Sequence, residues 1–232
     1  MLAIEIRNNR VALTEGSTTR GRVTVKKASS FEFDSEWSSV KGALAINEMA
    51  DRLVLELQEN GFGSKRDVAV CFNQSYTVYR ELKVPAVETK KLAIVVRSEM
   101  ISSLNLEPDC IVDYVIIDSE EDETGSYYHV LAAALQKDFF ESYLEVFKRA
   151  KLKVKTVDFG ANALMKVIEM SHYLQMNQLT LVLNISRNHL RLFIFDGLNY
   201  SFTRSIQISD EADTTTEVVG NLNRMIQYVY AR

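Results

Sequence analysis

The chain has 232 residues, with 27 Lys and Arg against 31 Asp and Glu, and a hydrophobic fraction of 47%. This length indicates one large domain or two small ones, and it can bury a sizeable core without disulfide bonds. Nine glycines and two prolines argue against a disordered or collagen-like chain. The net charge of −4 argues against a duplex-DNA binder, which needs a basic face, so we expect no nucleic-acid partner.

Cysteine use and hydropathy indicate the cellular compartment. Cys71 and Cys110 are too few for a disulfide framework and lack the spacing of a metal site. No apolar run approaches the roughly 18 residues that span a bilayer, and residues 1–6 do not have the pattern of a signal peptide. We therefore expect a reduced, cytoplasmic protein.

The first third of the chain predicts a β-meander, a helix and a buried strand. Residues 2–6 and 11–15 alternate apolar and polar side chains around a polar turn, which is typical of a hairpin, and 21–27 adds a third strand. Apolar residues then recur every three or four positions over 39–60, the period of an amphipathic helix. The continuous apolar run 67–72 is typical of a buried, parallel strand.

The middle of the chain predicts a separate unit with a helix and an antiparallel strand pair. A strand over 75–84 leads to a helix over 87–104, which is followed by strands over 110–118 and 127–135. The acidic segment 119–126 joins the last two strands. It is most simply a solvated hairpin tip, and its functional alternative is a contact for a basic partner segment.

The last third repeats the plan of the first. It predicts helices over 137–150, 162–173 and 213–230 and strands over 152–159, 179–185, 190–195 and 200–208. The first of these helices carries a stripe of Phe139, Phe140, Tyr143 and Phe147, which we expect in the core. Three strands in a meander followed by a helix occur in 2–60 and again in 179–231, an order that resembles the actin-like ATPase fold of sugar kinases, chaperones and actin.

Short motifs sharpen this resemblance. Tyr79 is followed by an R-x-L-x-x-P pattern that ends at Pro85, before an amphipathic helix, and Asp113-Tyr114 precedes a strand pair. Further matching segments are 130–134, 157–164 and 202–206. In their order and spacing these motifs resemble the PilM family of type IV pilus assembly proteins, which are actin-like and related to the cell-division protein FtsA. The cytoplasmic domain of the type II secretion protein GspL is also similar.

The resemblance implies an α/β protein with two actin-like lobes, each with a β-meander and helices. Residues 1–74 and 137–160 are then the first lobe, 75–136 an FtsA-like αββ insert, and 161–232 a partial second lobe. PilM-type proteins lie at the inner face of the cell membrane and bind a nucleotide between their lobes. They dock the N-terminal cytoplasmic tail of the membrane protein PilN, and so help to anchor the pilus machine.

The insert of such proteins contributes to the tail-binding groove and to self-association. The groove is expected between the first lobe and the insert, and contact with the membrane only through the partner. The candidate partner-binding residues are those of the R-x-L-x-x-P segment, namely Tyr79, Arg80, Leu82, Val84 and Pro85.

The nucleotide site departs from the family pattern. Actin-like folds hold phosphates in two hairpin turns, each with an Asp on the strand and a Gly whose small size lets backbone amides approach the phosphate. The corresponding segments here are Glu5-Ile6-Arg7 and Asn184-Ile185-Ser186, so both glycines are absent, one carboxylate is longer and the other is replaced by an amide. The candidate phosphate-loop residues are Glu5, Arg7, Asn8, Asn184, Ser186 and Arg187.

Two interpretations of these turns remain open. They are ordinary polar turns, or Glu5 reaches a hydrated Mg²⁺ while Arg7 and Arg187 bind phosphates in place of the missing amides. The chain also contains no Gly-Gly pair for a loop against adenine. We expect a scaffold without catalytic residues, metal or cofactor. The alternatives are an ATP-binding assembly protein and the actin-like domain of a type II secretion protein. A sugar-kinase-like enzyme is less favoured, because a catalytic Asp after a Gly-rich loop is missing.

The three histidines, His129, His172 and His189, are dispersed and have no acidic partner at ligand spacing, so we expect no zinc site.

Overall fold

The computed structural model describes residues 1–7, 9–33, 42–64, 66–73, 77–186, 189–208 and 214–230. Its strands are β1 (Leu2–Ile6), β2 (Arg10–Thr19), β3 (Arg22–Glu32), β4 (Asp67–Phe72), β5 (Val78–Pro85), β6 (Ile111–Asp122), β7 (Gly125–Leu135), β8 (Lys153–Phe159), β9 (Leu179–Ser186), β10 (His189–Asp196) and β11 (Asn199–Gln207). Its helices are α1 (Gly42–Glu59), α2 (Thr89–Leu104), α3 (Lys137–Arg149), α4 (Gly160–Met170) and α5 (Thr214–Tyr230).

The chain divides into two compact units, Met1–Met170 and Ser171–Arg232. The first unit is built on a five-stranded sheet in the order β3-β2-β1-β4-β8. Strands β1, β4 and β8 are parallel, whereas β2 and β3 are antiparallel to their neighbours. The parallel pairing of β4 follows from its apolar sequence, because strands covered on both faces need apolar residues throughout.

The core of this sheet is aromatic where α3 crosses β4. Phe72 at the end of β4 lies 5.7 to 5.9 Å, centroid to centroid, from the rings of Phe139, Phe140 and Tyr143. Phe139, Tyr143 and Phe147 are buried, as their helical spacing predicts, and Phe140 is partly buried against the same core. Helix α1 completes the layer through buried Met49, Ala50, Leu53 and Leu57.

The insert of the first unit has its own small core. Its sheet has the order β5-β7-β6, and α2 packs on one face of it. The residues of this core alternate along the strands, as the two-residue period of a strand requires. They are Leu82, Val84, Leu92, Val96, Met100, Cys110, Val130, Ala132 and Ala134.

The second unit contains the sheet β11-β10-β9 and helix α5. Leu190, Leu192 and Ile194 of β10 form its core with Met225 of α5. A β-bulge interrupts the pairing of β10 with β11 between Ile194 and Phe195. The unit is thus a meander and a helix, the plan that the sequence predicts for this part of the chain.

The sequence predicts the order of the described elements correctly, and the structure differs in their lengths. Strands β2 and β3 are longer than expected: β2 continues past Glu15, where its pairing with β1 ends, and β3 continues to Glu32, opposite Arg10 at the start of β2. Strand β5 begins at Val78, and 75–76 of the predicted strand lie outside the described residues, as do 39–41 and 213 of two predicted helices.

Helix α4 spans Gly160–Met170 instead of 162–173 and packs against β4 and β8. The division between the units consequently falls after Met170, ten residues beyond the boundary that the sequence suggests.

No helix in the described part of the chain is long and apolar enough to cross a membrane. Over the same residues, no group of three or more His, Cys, Asp or Glu side chains is placed to hold a metal ion.

Gly160 at the start of α4 allows a close approach to Asn73, which follows β4. A Cβ atom on residue 160 would lie 2.3 Å from Asn73 Oδ1 and 2.7 Å from Asn73 Cβ. Asn73 cannot easily yield, because its backbone N–H donates to the Ile6 carbonyl at 2.9 Å and its Nδ2 donates to Glu5 Oε1 at 2.8 Å.

We therefore expect Gly160→Ala to destabilise the first unit by about 1–3 kcal/mol through overpacking. The measurement is chemical denaturation followed by circular dichroism. Gly220→Ala in α5 is the control, because nothing lies within 4 Å of its added Cβ and alanine favours a helix by up to about 1 kcal/mol. Equal stability of Gly160→Ala and the unsubstituted chain would contradict the close approach.

Candidate functional site

The β1–β2 turn, where the sequence places the first phosphate loop, is closed by its own contacts. The backbone N–H of Arg7 donates to the Arg10 carbonyl at 2.8 Å, so this amide is not directed at a ligand. Glu5 Oε2 lies 3.0 Å from Arg7 Nη2, and Glu5 Oε1 accepts from Asn73 Nδ2 at 2.8 Å. Both carboxylate oxygens of Glu5 thus have partners within the protein. Asn8 lies outside the described residues.

The β9–β10 turn in the second unit is a short hairpin connection. Asn184 faces Arg191 across the strand pair, and Ser186 faces His189. Asn184 is half-buried. Arg187 and the side chain of Ser186 lie outside the described part of the chain, so the second predicted phosphate loop is represented by Asn184 alone.

A groove in the first unit lies where the insert meets the corner between β8 and α4. Tyr79, Ala133 and Asp113 stand side by side on β5, β7 and β6 and form its wall on the sheet face opposite α2, because neighbouring cross-strand residues point to the same face. The lining residues are Tyr79, Asp113, Tyr114, Val115, Leu131, Ala133, Asp158, Phe159 and Asn162.

Tyr79 connects the two sides of this groove. Its ring packs edge-on against Phe159 with centroids 6.4 Å apart, and its hydroxyl oxygen accepts a long hydrogen bond of 3.4 Å from the Ala161 backbone N–H. Strand β5 of the insert is thereby fixed to the first turn of α4. The position of the groove wall depends on this contact, since Phe159 and Ala161 belong to the five-stranded sheet and its helix.

The two acidic residues of the groove differ in their surroundings. Asp158 accepts from Asn162 Nδ2 at 2.8 Å and pairs with Lys166 Nζ at 2.7 Å. Asp113 is exposed, and it accepts a 2.9 Å hydrogen bond from the backbone N–H of Tyr114. Asp113 forms no ion pair among the described residues, so its charge is presented to the groove mouth.

The predicted partner-binding segment separates into two faces. Tyr79 borders the groove, whereas Leu82 and Val84 are 8% and 1% exposed and pack in the core of the insert. Arg80 and Pro85 are exposed, and Arg80 lies on the opposite sheet face from Tyr79 because successive strand residues alternate. Leu82 and Val84 therefore hold the strand in place, and Tyr79 is the member that faces the groove.

Sequence reasoning did not assign Asp113, Leu131, Ala133, Asp158, Phe159 or Asn162 to the groove. Asp113 and Asp158 occur in the motifs that carry the family resemblance, but nothing in their local pattern shows that they lie at one site. Their positions on strands β6 and β8, from different sheets, are brought together only by the packing of the insert.

A charged cluster occupies the distal end of the same sheet. Lys83 Nζ lies 3.1 Å from Glu120 Oε1 and 3.2 Å from Asp122 Oδ2, and it stands 4.4 Å from the centroid of the Tyr127 ring. His129 Nε2 lies 2.7 Å from Glu120 Oε2. The β6–β7 register brings Glu120 to His129, a contact that the local sequence does not indicate, and the absence of a zinc site stays a prediction.

These contacts shift three pKa values. Glu120 and then Asp122 raise the pKa of Lys83, and His129 and then Lys83 lower the pKa of Glu120. The Thr124 hydroxyl and backbone N–H, followed by Lys83, lower the pKa of Asp122 to about 2. The acidic tip predicted as a solvated hairpin is thus exposed, but part of its charge is balanced within the insert.

The comparisons with known proteins agree with this architecture. A family model described as type IV pilus assembly protein PilM matches residues 3–221. The chain belongs to the PilM family. Its resemblance to PilM, deduced from short motifs, is confirmed by this match. No curated protein sequence matches the chain.

Solved structures show the fold. A chain of the PilM–PilN type IV pilus biogenesis complex matches with a TM-score of 0.76 and 20% identity, over 90% of this chain and 62% of that one. This PilM-family chain therefore spans less than two thirds of that relative.

A Bacteroides thetaiotaomicron protein of unknown function with an actin-like ATPase fold matches with a TM-score of 0.59 and 12% identity, over 99% of this chain and 76% of that one. The cytoplasmic domain of EpsL, an inner-membrane component of the Vibrio cholerae type II secretion system, matches with a TM-score of 0.54 and 10% identity, over 89% and 70%. The predicted actin-like fold is confirmed, as is the likeness to a type II secretion protein.

We expect Lys83→Gln to raise the pKa of both Asp122 and Glu120 toward ordinary carboxyl values. The lowered pKa of Asp122 means that its contacts stabilise the hairpin above the ordinary carboxyl pKa of roughly 4 and are lost as the pH falls toward about 2. Carboxyl NMR titration measures both values. Lys91→Gln, which removes a lysine that pairs with Glu88, is the control and leaves them unchanged. Unaltered titration in Lys83→Gln would show that the cluster does not form.

Proposed function

We propose that this chain is a cytoplasmic, non-enzymatic scaffold of type IV pilus assembly. It docks the N-terminal cytoplasmic tail of a PilN-like inner-membrane protein and links that protein to the pilus machinery. Membership of the PilM family supports the pilus role. The similarity to a chain of the PilM–PilN complex supports a PilN-like partner.

The groove between the insert and the β8–α4 corner is the observation that carries the docking proposal. Its wall offers Tyr79, Val115, Leu131, Ala133 and Phe159, an apolar surface that suits the side chains of an extended peptide. In strand-like peptide recognition, such pockets take alternate side chains of the peptide and give specificity.

The negative charge of Asp113 favours a basic residue in the bound tail. Asp113 stands at the groove mouth and forms no ion pair among the described residues, whereas Asp158 is already paired with Lys166. A basic residue of the tail would therefore be oriented by Asp113, because opposite charges close to an apolar surface are less screened than charges in open water.

The contacts of the β1–β2 turn support a scaffold that does not hydrolyse ATP. The Arg7 amide and both oxygens of Glu5 are engaged within the turn and with Asn73. To bind phosphate or hydrated Mg²⁺, these groups would first have to release their partners. The proposed degenerate nucleotide site rests on this geometry, and the alternative is an actin-like assembly protein that binds ATP in an unorthodox way.

Tail binding is measured by fluorescence anisotropy with a labelled peptide of the PilN-like protein's N-terminal tail. We expect Tyr79→Ala and Asp113→Lys each to weaken binding about tenfold or more, which is about 1.4 kcal/mol. Tyr79→Phe keeps the ring against Phe159 and should bind almost normally. Arg80→Ala, on the opposite sheet face, is the matched control. Loss of binding in Arg80→Ala with normal binding in Tyr79→Ala would place the tail on the other face.

Nucleotide binding is measured by the thermal unfolding midpoint with and without Mg²⁺-ATP, and we expect no change. A nucleotide at a hundred times its Kd adds about 2.7 kcal/mol, which raises Tm by about 5–10 °C in a domain of this size. A rise that is absent in Glu5→Ala and Arg7→Ala variants would support the ATP-binding alternative and overturn this part of the proposal.

A further inference from the structure

The β2–β3 hairpin extends beyond the five-stranded sheet as a two-stranded ribbon. Strand β2 pairs with β1 as far as Glu15, and Gly16 exchanges backbone hydrogen bonds with Met1. From Ser17 to Thr24 the two strands pair only with each other in the described part of the chain. Every residue of the segment 17–28 is exposed, so no layer formed by the described residues covers either face of the ribbon.

The ribbon is basic in an acidic chain. The segment 16–27 contains Arg20, Arg22, Lys26 and Lys27 and no Asp or Glu, while the whole chain carries −4. Lys27 donates to the carbonyls of Asn60 and Gly61 at the end of α1. The other three cations form no ion pair within the described residues.

Two exposed valines share one face of the ribbon. Val23 and Val25 are 59% and 58% exposed, and their cross-strand neighbours are Thr18 and Gly16, which add little or no side chain. Because side chains two residues apart lie on the same face of a strand, the valines form a small apolar strip. Arg20 lies at the turn, and Arg22 and Lys26 precede and follow the valines along β3, at neighbouring positions whose side chains alternate with the valines between the two faces of the ribbon.

We propose that this basic hairpin, residues 16–27, contacts an anionic phospholipid surface directly. Its cations attract the acidic headgroups, and Val23 and Val25 enter the interface between headgroups and acyl chains. Apolar side chains flanked by Lys and Arg are the chemistry of peripheral membrane contact, and each such cation contributes to attraction by an anionic leaflet. The proposal does not depend on tail docking and adds a direct membrane contact to the one made through the partner.

The chain's own acidic hairpin is a weaker candidate occupant. In a second copy, the tip around Glu120 and Asp122 would meet the basic ribbon with opposite charge, but both of these carboxylates are already paired with Lys83, and Glu120 also with His129. Such a contact would in addition leave Val23 and Val25 facing charged side chains, whereas a lipid interface accepts them.

The test is flotation of the chain with vesicles made of equal amounts of phosphatidylglycerol and phosphatidylcholine, compared with pure phosphatidylcholine vesicles. We expect binding only to the anionic vesicles, with a decrease when NaCl is raised from about 0.05 M to about 0.5 M. Arg20→Glu/Arg22→Glu should lower the vesicle-bound fraction about tenfold or more. Val23→Thr/Val25→Thr, which keeps the β-branched shape, should lower it severalfold.

Lys90→Glu/Lys91→Glu on α2 is the matched control, since both lysines are exposed and the change in net charge is the same. This variant should bind vesicles like the unsubstituted chain. Circular dichroism and tail-peptide binding should be the same in the three double variants as in the unsubstituted chain. A failure of tail docking would therefore be seen separately from a loss of vesicle binding.

Absence of vesicle binding by the unsubstituted chain, or equal losses in the two charge-reversed variants, would overturn the proposal. Normal vesicle binding by Arg20→Glu/Arg22→Glu together with a change in its sedimentation coefficient would assign the hairpin to a second copy of the chain instead.

Discussion

The close packing around Asn73 is the constraint on which the arrangement of the first unit depends. Asn73 follows β4, bonds to the backbone of β1 and to Glu5, and approaches Gly160 so closely that a side chain would not fit there. One residue thus joins the β1–β2 turn, the end of β4 and the start of α4. Because α4 is fixed at this point, Phe159 and Ala161 are in place to receive Tyr79 from the insert.

The same packing links the β1–β2 turn and the groove of the first unit. The Glu5 carboxylate, a candidate phosphate-loop residue, contacts Asn73 and Arg7. These contacts stabilise the turn and the residue on which α4 rests. A groove wall that depends on a fixed corner benefits from such contacts, whereas a nucleotide switch needs groups that exchange partners when the ligand binds and leaves.

The two exposed hairpins of the first unit carry opposite charge, and they differ in how far their charged side chains are paired. The β6–β7 tip has partners for its own carboxylates: Thr124 and then Lys83 lower the pKa of Asp122, and His129 and then Lys83 lower the pKa of Glu120. The β2–β3 ribbon has no anions of its own and keeps Val23 and Val25 exposed. A surface whose charged side chains pair with one another is well accommodated in water. A basic surface without such pairs, and with exposed apolar side chains, favours an anionic partner.

Sequence periodicity was sufficient for the order and type of the described elements, because burial against one face imposes a period of two on strands and about 3.6 on helices. Apart from Tyr79, the residues of the groove were accessible only from the tertiary structure. Tyr79 was identified, but Leu82 and Val84 of the same strand lie in the insert core, since alternation alone does not tell which face of an insert strand is covered.

Likewise, strand register places Glu120 beside His129, and Glu5 accepts a hydrogen bond from Asn73, which lies 68 positions away in the chain. Local sequence determines which side chains share a face. Contacts between side chains from different elements are decided by how those elements pack, because that depends on the shapes and volumes of all the residues between them.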